Sequence, residues 1–208
     1  MSILSRKPGE GRRRGTPADL LVVGLGNPGA EFESTRHNVG ADLVAVLARR
    51  HGEKLARGKE RAQVAELRIG AQRVAVAFPQ TFMNNSGESV RLLTRRFGIE
   101  DAAHLVIAHD ELDLDVGRLK IKAGGGLAGH NGLRSITQHL GTTDYVRLRI
   151  GIGKPPASQA PRDFVLRKPG KADREALDVS VERAADAVEQ LLSEGIDATM
   201  NTVNRRPS

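Results

Sequence analysis

The run Leu20-Leu21-Val22-Val23, passing straight into Gly24-Leu25-Gly26-Asn27-Pro28-Gly29, constrains this chain more than any other segment. A short, continuous apolar stretch closed by turn residues reads as a buried strand. The next helical pattern begins only near Val39 and covers residues 39–51, with Asn38 near its start and Gly52 beyond its end. The glycines satisfy the dinucleotide-binding string G-x-G-x-x-G but fail its physics. That motif needs a helix opening at the glycines so that its amide ends face a pyrophosphate, whereas here Pro28 removes a donor and the helix comes later. Nor does a second strand end in an acid about 20 residues on, since Asp42 lies inside the helix. The loop is left with two readings: Asn27 makes the turn, or Pro28 and Gly29 hold its amide facing outward.

Further along, residues 63–69 and 73–78 alternate as a hairpin around Gly70-Ala71-Gln72. A helix is expected over 87–97, where Asn85 and Glu88 have the spacing of a capping box and Gly98 supplies the exit. Residues 105–108, 118–122 and 146–152 read as strands, the last with Arg147 and Arg149 on one face. Helices are expected from about Gly132 to Leu140 and over Lys171–Glu194. In the latter, Leu177, Val181, Ala184, Val188 and Leu191 form a core stripe. Strands alternating with helices predict a single-domain, three-layer α/β/α fold with a twisted, mixed central sheet over residues 19–200. Residues 1–18 read as a disordered basic extension and 201–208 as a C-terminal tail.

Charge and composition narrow the function classes. The net charge of +7 suggests a polyanionic partner, but four of those charges fall within residues 1–18. The folded part therefore suits contact with a few phosphates better than a long electrostatic track. Only 3% of residues are aromatic, which disfavours a general base-stacking surface. Cysteine is absent, excluding disulfides, thiolate metal sites and a cysteine nucleophile, and this fits a reducing cytoplasm. No apolar run approaches the roughly 18–20 residues that span a bilayer, so no membrane association is expected. Arg12-Arg13-Arg14 ahead of the apolar run imitates a twin-arginine signal, but that run is short and broken by Gly24, Gly26 and Pro28.

Chemistry concentrates in polar residues at or beyond the carboxyl ends of expected strands: Asn27, Asn84, Asp110 and Asn131. Open α/β sheets bind ligands outside those ends. With His37, these groups suffice for ester hydrolysis without a metal or a covalent intermediate. A neutral imidazole takes a proton from water, a carboxylate orients it, and amide N–H groups stabilise the oxyanion and grip peptide groups.

The ordered blocks Gly24 to Gly29, Thr35-Arg36-His37-Asn38, Thr81-Phe82-Met83-Asn84-Asn85-Ser86-Gly87, His109-Asp110-Glu111-Leu112-Asp113 and Gly129-His130-Asn131-Gly132-Leu133 resemble the bacterial peptidyl-tRNA hydrolase family. The resemblance spans about Leu20 to Glu194. It implies cleavage of the ester between peptide and tRNA in prematurely released peptidyl-tRNA, by a cytoplasmic monomer with no cofactor, no metal and no obligate protein partner. By this similarity His37 is the base and Asp110 its orienting partner, while Asn27, Phe32, Asn84 and Asn131 bind substrate. Lys120 and Arg149 match positions that hold a tRNA phosphate. Phe32 stands where many relatives carry Tyr, and Leu127-Ala128 replace polar residues or glycine in a segment, 124–129, flexible enough for a lid.

Other readings compete. Asp113 and Asp115 beside Asp110 suggest a calcium loop but lack its ligand ladder. His37, His109 and His130 with Asp110 suggest a metal site but lack ligand-spaced pairs. The alternative function is a non-catalytic RNA-binding or splicing protein on the same fold, for which an extended basic surface is expected.

Overall fold

In the computed structural model, which describes residues 17–205, the apolar run forms β1 (Leu20–Gly24), buried at every position. Alternation along the strand divides its side chains between two cores: Leu20 and Val22 face one, Leu21 and Val23 the other. After β1 come α1 (Val39–Arg50), β2 (Ala56–Arg57), β3 (Ala62–Ile69), β4 (Gln72–Pro79), α2 (Ser86–Phe97), β5 (Leu105–Glu111), β6 (Leu119–Ala123) and α3 (Asn131–Leu140). Then follow β7 (Val146–Gly151), α4 (Pro161–Val165), α5 (Lys171–Glu194) and α6 (Ile196–Val203). Of the basic extension expected over residues 1–18, residues 1–16 lie outside the described residues. The Ala18 N–H bonds to the Phe97 carbonyl at 2.9 Å.

The strands form one seven-stranded sheet in the order β2-β3-β4-β1-β5-β7-β6. The four central strands run parallel, and the hairpin partner β3 and the edge strand β6 run antiparallel to their neighbours. Helices α1, α5 and α6 pack on one face and α2 and α3 on the other, which is the expected three-layer arrangement. Leu177, Val181, Ala184 and Val188 of α5 enter the first core as the stripe predicted.

Two glycines set where α1 meets the sheet. A Cβ on Gly24 would stand 1.9 Å from the Gly40 carbonyl oxygen, and one on Gly40 would stand 2.3 Å from that of Ala108. No side chain fits at either position, so the helix start is drawn against the carboxyl ends of β1 and β5. Close approach of the α1 backbone accounts for Gly24, while Gly26 leaves room for the Asn38 side chain and Gly29 takes a positive φ of 120°.

Several expectations are corrected. β5 continues to Glu111, beyond the expected 105–108, so His109, Asp110 and Glu111 form its carboxyl end. The capping box does not form: the Asn85 side chain makes no cap bond, Ser86 Oγ donates instead to the Met83 carbonyl at 2.8 Å, and Glu88 pairs with Arg61. α6 carries the folded body past residue 200, where a tail was expected. Beyond it the Asn204 amide brackets Ile121 of the edge strand, accepting its N–H at 2.8 Å and donating to its carbonyl at 2.9 Å. Among the described residues no helix is long and apolar enough to cross a membrane.

Candidate active site

His37 sits in a short 3-10 turn, Arg36–Asn38, that leads directly into α1. Its neighbours anchor it on both sides. Arg36 is buried against the Phe164 ring, 4.2 Å from its centroid, and pairs with Asp173 at 3.0 Å, which ties the turn to α4 and α5. The Asn38 amide reaches back to Asn27, accepting from its N–H and donating to its carbonyl, both at 2.9 Å. The glycine loop and the histidine turn are thereby held as one unit.

Asp110 faces His37 from the end of β5, with its carboxylate oxygens 2.9 and 3.0 Å from Nδ1. An ionised Asp110 carboxylate can only accept, so His37 Nδ1–H donates to it, and in the neutral ring the lone pair stays on Nε2, which has no hydrogen-bond partner among the described residues. Burial is the strongest influence on both groups and disfavours charge on each. The attraction of the carboxylate and its hydrogen bond outweigh burial for His37, whose pKa is raised. For Asp110, attraction and hydrogen bonds from His37 and His130 likewise prevail and hold its pKa well below the carboxylate range.

A second histidine, His130, which the sequence places in a family-like block and among possible metal ligands without a role of its own, completes the network. His130 Nε2 lies 3.0 Å from Asp110 Oδ1, while its Nδ1 accepts from the N–H groups of Gly132 and Leu133 at the head of α3, at 3.1 and 3.4 Å. Two donors on Nδ1 assign the proton to Nε2, so His130 donates to the carboxylate. His37, Asp110 and His130 offer ligand atoms within 4.8 Å of one another. A metal-bound imidazole, however, carries a proton on its far nitrogen and donates it outward; His130 Nδ1 faces donors and does not fit. His109 points elsewhere. Fully buried, it bonds its Nδ1 to the Asp110 carbonyl at 2.7 Å, and burial drives its pKa down to about 3.

The structure brings His37, Asp110, Asn27, Phe32, Asn84 and Asn131 to the wall of one crevice of about 950 Å³. Asn27 Oδ1 accepts the Met83 N–H at 2.8 Å, and Asn131 Oδ1 accepts from Arg134 at 3.2 Å, so in both residues the Nδ2 donors remain for a ligand. Phe32 meets Phe82 edge to face at 6.5 Å. Leu112, Val165 and Leu166 add apolar wall to the same crevice.

Lys120 and Arg149 are elsewhere, directly opposite each other on β6 and β7, with Lys122 opposite Arg147 one step further along the same face. Arg149 is engaged with buried Glu111 at 2.8 Å. A separate cavity of about 80 Å³ is lined by Arg149, Lys122, Arg147, Glu111 and His109, but not by Lys120. The strand alternation that pairs Arg147 with Arg149 also pairs Lys120 with Lys122, so the sequence itself places Lys122 on the same face.

The family model for peptidyl-tRNA hydrolase matches residues 21–208. A peptidyl-tRNA hydrolase of Nocardia farcinica is 49% identical over 185 residues, covering 88% of this chain and 95% of its own. That of Rhodococcus erythropolis is 48% identical over 185 residues, covering 88% and 97%. The crystal structure of peptidyl-tRNA hydrolase from Acinetobacter baumannii aligns with a TM-score of 0.84 at 36% identity, covering 90% of this chain and 96% of that one.

Proposed function

The chain belongs to the peptidyl-tRNA hydrolase family and is a hydrolase acting on the ester bond of peptidyl-tRNA; within that activity, we propose that His37 is the general base. Water held at the free Nε2 loses its proton to the ring as it attacks the ester carbonyl. Asp110 keeps the proton on Nδ1 and stabilises the imidazolium that forms. The Nδ2 groups of Asn27 and Asn131, together with Asn84, supply donors for the developing oxyanion and for the peptide backbone. Carboxamides both donate and accept, so they suit a substrate whose side chains vary. The Phe32 and Phe82 rings and the apolar wall take up the acyl chain. On the tRNA side, Lys120 and Arg149 hold a backbone phosphate. The protein acts as a cytoplasmic monomer without a cofactor.

The single observation that supports this reading most is the hydrogen bond of His37 Nδ1 to a nearly inaccessible carboxylate, within a crevice also lined by three asparagines. Cleavage of N-blocked and free aminoacyl-tRNA, compared in the presence of a chelator, tests it. The expected result is hydrolysis of the blocked ester alone, undiminished by chelation. Equal cleavage of both esters, or loss of activity with the chelator, overturns it. Tight tRNA binding without turnover favours the non-catalytic alternative.

A further inference from the structure

Arg147 is only 3% exposed, yet no carboxylate among the described residues pairs with it. Its Nη1 donates to the Gly126 carbonyl. Its Nη2 donates to those of Gly125 and Thr143, at 2.6 and 3.4 Å, and the guanidinium carbon lies 5.1 Å from the centre of the Tyr145 ring. Nε is buried without a partner. Burying a cation against neutral carbonyls with one donor unmet is costly, and an apolar residue on β7 would avoid that cost. Retaining it here calls for something the guanidinium does.

What it holds is the path from β6 to α3. β6 runs antiparallel to β7 and ends at Ala123, level with Val146, whereas Asp110 lies level with Ile150 at the other end of the same strand. Asn131 therefore follows the carboxyl end of an antiparallel edge strand and not of one running with β1 and β5. Residues 124–130 must carry the chain back along the sheet before α3 can begin at the crevice. This segment turns at two left-handed pairs: Gly124 and Gly125 (φ +63° and +106°), and Ala128 and Gly129 (φ +47° and +72°). Between them, Leu127 packs on the core under α2 and α3, and its carbonyl accepts the His130 N–H at 2.9 Å. Glycines of this kind do not fix a path by themselves, because several conformations cost them little.

We propose that Arg147 is a positioning residue for the hydrolysis: by gripping the Gly125 and Gly126 carbonyls it holds residues 124–129 in one path and so places His130 and Asn131 at the crevice. The planar guanidinium reaches two adjacent carbonyls and the ring of Tyr145 at once, a geometry a lysine ammonium does not reproduce. The leucine at 127 and the arginine act together, one anchoring the segment by packing and the other by hydrogen bonds. The consequence for activity rests on the roles proposed above for Asn131 and Asp110. The grip on the loop does not.

Arg147→Ala and Arg147→Lys separate the two statements. Hydrogen exchange at amides 124–133 reads the loop directly. Turnover of N-blocked aminoacyl-tRNA, with and without low concentrations of guanidinium ion, reads the chemistry, and thermal unfolding checks that each variant is folded. In Arg147→Ala the loop amides exchange faster and kcat falls on the order of 10²-fold, the scale expected of misplaced groups. Added guanidinium restores part of the loss, which a mere packing defect would not allow. Arg147→Lys keeps the charge but gives the same loosened loop, and it carries the measurement should the alanine variant not fold. Unchanged exchange in both variants overturns the grip. A loosened loop with wild-type turnover overturns the positioning role. Wild-type turnover in His37→Ala would instead remove the assigned base and leave the loop measurement standing.

Discussion

Asn38 closes a two-bond ring on the backbone of Asn27, accepting from its N–H and donating to its carbonyl, both at 2.9 Å. The residue after the proposed base thus shapes the loop that carries Asn27, one of the amides proposed to bind substrate. Asn38→Ala leaves both buried backbone groups of Asn27 unpaired, and is expected to cost about 1–3 kcal/mol of stability. KM for peptidyl-tRNA should rise several-fold as the Asn27 amide loses its aim. Urea midpoints and steady-state kinetics check both effects, and an unchanged KM would show that the loop holds its shape without this support.

In the proposed mechanism, Asp110 sets the pH at which His37 can accept a proton. The carboxylate and its hydrogen bond raise the His37 pKa against the opposing effect of burial. In Asp110→Asn only burial remains, so the His37 pKa falls and the acid limb of kcat/KM moves to lower pH. The plateau should drop on the order of 10²–10⁴-fold, because the ring loses its preferred tautomer and the charge opposite the imidazolium. A limb that stays in place would mean that His37 is not the group titrating there.

His130→Ala should move the same limb the other way. His130 donates to Asp110 Oδ1 at 3.0 Å and so shares the charge that His37 draws on. Without that donor the carboxylate attracts the imidazolium more strongly, and the His37 pKa rises further. The acid limb then shifts to higher pH, with reduced turnover from the less firmly held carboxylate. A shift to lower pH would contradict the assigned tautomer.

Much of this was readable from one strand or helix at a time. β1, the hairpin, α2, α3 and α5 declare themselves by apolar runs or periodicity, and His37 and the asparagine candidates stand at or beside the ends of such elements. The parts that escaped depend on partners far apart in the chain. His109, Asp110 and Glu111 form a polar run that conceals the last residues of β5, because the groups that satisfy the Asp110 and Glu111 carboxylates, His37, His130 and Arg149, come from other segments. Asn38 had the local features of a helix start, and its true partner is Asn27. Short or exposed elements such as β2 and α4 bury too little to leave a pattern, and α6 follows α5 with almost no break.

Gly40→Ala probes the contact that seats α1 on the sheet. The added Cβ would lie 2.3 Å from the Ala108 carbonyl oxygen, and rigid backbone on both sides leaves it no room. The expected cost is about 3 kcal/mol, at the upper end for overpacking. Activity should fall with stability, since the displaced helix start carries His37. A denaturation midpoint equal to that of wild type would show that α1 can move away from β5 without loss.

The tRNA-side assignment is tested by salt dependence. Each lost phosphate contact should reduce the slope of log affinity against log salt by about one. Lys120 is exposed on the edge strand and makes no intramolecular ion pair among the described residues, so Lys120→Ala should change the slope and not the fold. Arg149→Ala is different in kind, because it also strands the buried Glu111 carboxylate, at a cost of about 3–5 kcal/mol for a broken buried pair. Its binding defect must therefore be read beside its stability. Lys122→Ala serves as the comparison, since Lys122 lines the cavity with Arg149 and Lys120 does not. A reduced slope in Lys122→Ala with an unchanged slope in Lys120→Ala would move the phosphate contact one step along β6.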